Sequence, residues 1–145
     1  MDESDDRKGR MLRWVLALLW STVFLYLLIA FNPTGSKLAS LAGSWSARLG
    51  LPPGLLFKAG HVFGYVLWIF LWCGVVSGGY RRPLPRWSWV WIPLGIFLLA
   101  AIPEGLQGLN PARHPAWMDV GYNALGAVIG LGIRLVVVRE HRSSS

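Results

Sequence analysis

Apolar positions along the chain come in long blocks. Four stretches, at about 11–31, 55–77, 87–109 and 117–138, are almost wholly apolar. Each is close to the roughly 20 residues that an α-helix needs to cross a hydrocarbon core. Asn32, Pro33 and Gly35 stop the first block, and Gly78 and Gly79 stop the second. Pro93 and Pro103 lie near the entry and exit of the third, and Arg139, Glu140, His141 and Arg142 mark the end of the fourth. Backbone groups inside lipid must be satisfied within the segment, so blocks of this length are read as helices. The pattern predicts an all-α integral membrane four-helix bundle, one domain over 1–145. The first block is too long for a signal-peptide core and no A-x-A site follows it, so it reads as a retained anchor. The longest connection, 32–54, contains an Ala-, Leu- and Ser-rich piece at 36–49. That piece suits a short helix lying on the outer surface or a plain loop.

Composition narrows the class. Hydrophobic residues make up 54% and charged residues 14% of the chain, against about 25% charged in an ordinary soluble domain. A soluble domain this small would lack the polar surface it needs, and a disordered chain would be far less apolar. The net charge of +7 raises the question of nucleic acid. The basic residues sit between apolar blocks and form no single patch, which argues against that partner and for the bilayer. With the amino terminus inside, the cytoplasmic segments hold nine Lys and Arg: Arg7, Lys8, Arg10, Arg13, Arg81, Arg82, Arg86, Arg139 and Arg142. The external segments hold three, Lys37, Arg48 and Arg113, while Lys58 and Arg134 fall inside spans. This bias predicts that both termini are cytoplasmic. Trp87, Trp89 and Trp91 suit an interfacial belt at the inner end of the third span. A single cysteine, Cys73, excludes an intramolecular disulfide, and no Cys/His spacing calls for zinc. No metal or cofactor is implied.

The polar residues inside the spans carry the chemistry. Lys58 and His61 open the second span, Glu104 and Gln107 close the third, and Asp119 and Asn123 open the fourth. Arg113 lies in the short connection between the last two, flanked by Pro111 and Pro115. In the orientation above, all seven fall at the external end. Spacings of three or four put each pair on one helix face, and Tyr65 extends the His61 face inward. Gly60 with Gly64, and Gly126 with Gly130, form G-x-x-x-G steps that allow close helix packing. Taken singly, each polar residue has a bland role. Lys58 and Arg113 would snorkel to headgroups, His61 would be a satisfied core histidine, and Asp119 would cap a helix. Together at one depth, where unpartnered charge is costly, they point to a shared polar site.

The segment from Lys58 through His61 to Tyr65 resembles the K-x-x-H-F-x-x-Y stretch of VanZ-like membrane proteins. Glu104, Gln107, Pro111, Arg113, Asp119, Asn123 and Gly126 resemble their E-x-x-Q, P-x-R and D-x-x-x-N-x-x-G stretch. Val62 stands where the family more often has Phe, and Pro103 where an acid is frequent. The resemblance implies a multi-pass protein of the bacterial plasma membrane and cell envelope. Some members are associated with resistance to glycopeptide antibiotics. It carries over no chemical mechanism.

Three functions compete. In the first, the site binds an anionic lipid or a lipid-linked glycan. Lys58 and Arg113 then meet phosphate with His61, Gln107 and Asn123 fix orientation, and Glu104 and Asp119 hold the basic groups. In the second, the protein is a hydrolase or transferase acting on a lipid phosphate, with His61, Glu104 and Asp119 as the catalytic candidates. No nucleophile elbow or phosphate-binding loop supports it. In the third, the polar residues are a structural lock between helices and the protein scaffolds a partner.

Overall fold

The computed structural model describes residues 3–30, 37–52, 54–107 and 117–143. Among them the chain forms five helices and no strand: α1 (Glu3–Ala30), α2 (Lys37–Arg48), α3 (Leu55–Val76), α4 (Ser88–Gln107) and α5 (Trp117–Ser143). Among the described residues three stretches are long and apolar enough to cross a membrane: Asp6–Leu28, Leu55–Val76 and Met118–His141. The connection at 32–54 contains helix α2. Its end is closed by bonds from Gly50 N–H to the Ala47 carbonyl (3.2 Å) and from Leu51 N–H to the Ser46 carbonyl (2.8 Å). Gly50 and Gly54 have φ of 63° and 80°. This is the left-handed region that glycine enters at little cost, and it turns the chain from α2 into α3.

Helices α1 and α5 run past their apolar blocks into charged flanks. Asp6 and Arg10, one turn apart in α1, form an ion pair at 3.6 Å. Helix spacing places such pairs side by side.

The surface is inverted relative to a water-soluble helix. On α5 the buried positions are Asn123, Gly126, Ala127, Gly130, Arg134 and Val138, while Leu125, Val128, Ile129, Ile133 and Val136 are exposed. Small and polar residues face protein, and large apolar ones face outward. Lipid rewards this arrangement, because tails solvate apolar side chains while helix contacts select small ones.

The closest packing is between α3 and α5. A Cβ built on Gly126 would strike the Val62 carbonyl oxygen and approach Tyr65 Cβ to 2.9 Å. One built on Gly130 would lie 2.5 Å from the Val66 carbonyl oxygen. The G-x-x-x-G step in α5 is therefore a seam of backbone against backbone. The step in α3 works differently. Gly64 makes room for the Phe24 ring of α1, and Gly60 meets nothing within 4 Å.

Aromatic groups join α1 to α3. Phe24 stacks on Trp20 and meets Tyr65 and Trp68 edge-on, with ring centroids 5.2 and 5.5 Å away. Trp20 Nε1 donates to the Gly64 carbonyl (3.2 Å), and Trp72 Nε1 donates to Ser21 Oγ (3.0 Å). Helix α4 packs against α5 and more lightly against α1, and α2 rests on α3.

The seam generates a stability prediction. Gly130→Leu should destabilise the detergent-solubilised protein by about 2 kcal/mol or more, since it forces bulk against backbone. Gly132→Leu, at a position with open space around it, should stay within about 0.5 kcal/mol of the parent. Thermal or denaturant unfolding followed by circular dichroism checks both.

Candidate functional site

The seam determines what meets above it. Val62 crosses α5 at Gly126. His61 adjoins Val62, and Asn123 lies one turn ahead of Gly126. The two side chains therefore meet, with His61 Nδ1 2.9 Å from Asn123 Oδ1. Asn123 is 1% exposed and His61 half-buried. An amide oxygen can only accept, so in this arrangement His61 donates from Nδ1. Its neutral tautomer then keeps the lone pair on Nε2.

Lys58, one turn before His61, is also half-buried. Its Nζ lies 5.3 Å from the centre of the Tyr122 ring. The ring face attracts the ammonium and replaces part of the hydration lost on burial. Tyr122 is thus a member of the site that residue spacing did not single out. Its only sequence signal is that it directly precedes Asn123.

Asp119 is half-buried in the first turn of α5, one turn above Asn123. An acid there opposes the positive end of the helix dipole. Tyr65, one turn inward from His61, is fully buried among Phe24, Trp68 and Gly126. It belongs to the aromatic core below the site.

The remaining candidates are not described at side-chain level. Glu104 and Gln107 lie in the last turn of α4, and their side chains fall outside the described residues. Arg113 lies in 108–116, also outside them. The structure therefore joins His61 to Asn123 and Lys58 to Tyr122, with Asp119 on the same helix as two of these. This cluster offers a cation, an imidazole and an amide on two helices held at backbone contact. It can hold an anionic oxygen and hydrogen-bond to a neighbouring polar group. Among the described residues no group of three or more His, Cys, Asp or Glu is placed to hold a metal ion.

The other end of the seam holds a residue that charge counting set aside. Arg134 is 0% exposed. Its Nη2 donates to Ser77 Oγ (2.9 Å), to the Gly79 carbonyl (2.6 Å) and to the Arg82 carbonyl. Ser77 is the C-cap of α3. The guanidinium thus sits at the negative end of a helix dipole, and the oxygens at Nη2 compensate part of its burial, while Nε and Nη1 have no hydrogen-bond partner among the described residues. The available sequence signal was spacing: Arg134 stands one turn beyond Gly130 on the stripe that begins at Asn123.

No protein-family model, curated protein or solved structure matches the chain.

Proposed function

We propose that the chain is a VanZ-like multi-pass protein of the bacterial plasma membrane, and that its His61 end binds an anionic lipid or lipid-linked glycan at the outer surface. In this reading α1, α3, α4 and α5 form a four-helix membrane bundle with both termini in the cytoplasm. Three of these helices contain spans of membrane length. Helix α4 has 20 residues, about 30 Å of helix, and packs on α5 and α1. The nine-to-three distribution of basic residues supports the orientation. A link to glycopeptide tolerance rests on the VanZ resemblance alone.

The observation that carries the reading is the partly buried His61–Asn123 bond with Lys58 one turn above it. A cation and a fixed polar pair on adjoining helix turns support this reading, in which that end lies where lipid headgroups begin. Lys58 supplies charge to a phosphate, with Arg113 completing it from the loop. Asn123 and Gln107 set orientation, and Asp119 and Glu104 hold the basic groups. The same bond favours a second reading, because it bridges α3 and α5 and would serve as a structural lock.

Mass spectrometry of lipid co-purified in detergent separates the two. The binding reading predicts an anionic lipid or lipid-linked glycan, lost about tenfold in Lys58→Met, as for removal of a charge-assisted contact. The lock reading predicts no such lipid. It also predicts a fall in unfolding temperature for His61→Leu.

Orientation has its own test. In a Cys73→Ser background, an impermeant thiol reagent added outside should modify Ser40→Cys and spare Ser144→Cys. The reverse pattern would move the His61 end to the cytoplasmic leaflet.

A further inference from the structure

We propose that the end of the molecule opposite His61 carries a second site, a cleft that binds an anionic phosphate group through Arg13, Tyr80, Arg81 and Arg82. The proposal is independent of the reading of the His61 end. The cleft encloses about 440 Å³ between the start of α1, the 77–87 connection and the end of α5, with Asp6 and His141 completing its wall. Three arginines face one carboxylate, and that carboxylate already pairs with Arg10.

Two polar atoms in the wall are buried without a hydrogen-bond partner among the described residues: Tyr80 Oη and Arg13 Nε. Buried donors in native proteins are rarely left unpaired, so such a pair in one cleft marks a place for an acceptor. Burial raises the Tyr80 pKa, with Arg13 and Arg134 acting against it. The hydroxyl therefore stays protonated and can donate. Phosphate oxygens accept from guanidinium and hydroxyl groups together, and charge shortens and strengthens those bonds.

The cleft is built before any ligand arrives. The Tyr80 ring stacks on Phe70 at 5.3 Å, nearly parallel, and lies over Gly74, where any side chain would collide with it. Gly78 turns the chain at φ 71°. Behind the loop, Arg134 binds Ser77 Oγ and the carbonyls of Gly79 and Arg82. Those carbonyls are thereby engaged by a buried cation behind the loop. The side chains of Arg81 and Arg82 remain exposed and able to close on an anion. Preorganisation of this kind lowers the ordering cost of binding.

A lipid headgroup and a free phosphate share this chemistry, and two arms separate them. In the first, protein in nanodiscs of phosphatidylcholine with phosphatidylglycerol is released for native mass spectrometry and its retained lipid identified. In the second, protein in dodecyl maltoside is titrated with inorganic phosphate and followed by phosphorus NMR. The parent should retain phosphatidylglycerol over phosphatidylcholine, or bind inorganic phosphate. Arg81→Gln with Arg82→Gln should weaken that binding about tenfold, and Tyr80→Phe should weaken it several-fold. Arg48→Gln, at an exposed position of α2 toward the other end, should leave it unchanged. Retention of phosphatidylglycerol alone identifies a headgroup site, and binding of inorganic phosphate identifies a free-phosphate site. The proposal is overturned if neither probe binds, or if binding is equal in the parent and in folded Tyr80→Phe. Helical circular dichroism establishes folding, and Tyr80→Phe decides the matter alone if the double variant does not fold.

Discussion

The approach of α5 to the α3 backbone at Gly126 and Gly130 organises the rest of the molecule. Lipid supplies no hydrophobic drive to bring apolar helices together, so association depends on packing and on polar contacts between helices. Glycine permits both, since nothing separates its Cα from the Val62 and Val66 carbonyls, and weak Cα–H···O contacts accompany such seams. With the register fixed there, Asn123 falls beside His61 one turn outward. In the other direction, Arg134 falls against the C-terminal end of α3. Both polar ends depend on one two-glycine contact.

The third helix of the core packs by bulk instead of closeness. Helix α1 reaches α3 through Trp20, Phe24 and Trp72, with Gly64 giving way to a ring. The Trp20 and Trp72 indole N–H groups find a carbonyl and a serine, while that of Trp68 is buried with no partner among the described residues. Arg134, 0% exposed, is met at Nη2 by backbone and hydroxyl oxygens near a helix terminus, while its Nε and Nη1 have no hydrogen-bond partner among the described residues. Placing it there holds the 77–82 loop in shape, which a carboxylate partner elsewhere would not do.

How much the sequence disclosed depended on the physics behind each feature. Helices α3 and α5 were legible because lipid demands long apolar helices, whatever they pack against. Depth and helical spacing singled out His61 and Asn123 as members of one polar cluster, but their direct bond was not an expectation of the sequence. Lys58 was singled out by its depth, but its Tyr122 neighbour was not, because an aromatic near a membrane interface has many ordinary uses. The two G-x-x-x-G steps look alike in sequence and differ in structure. Only the position of Phe24, a tertiary fact, separates them. Arg134 was left out of the charge count as a residue inside a span and given no role, since hydropathy does not show what a buried arginine near a helix end would bind. The contributions of Glu104, Gln107 and Arg113 lie outside the described residues.

The central claim is the backbone seam, and magic-angle-spinning NMR in lipid bilayers tests it most directly. With valine carbonyl carbons and glycine Cα carbons labelled, the account predicts dipolar cross-peaks between Val62 and Gly126 and between Val66 and Gly130. The sequential Val120–Gly121 peak provides an internal standard. Observation of that standard with both inter-helix peaks missing would contradict the account. The placement of His61 against Asn123, and of Arg134 against α3, would then lose its foundation.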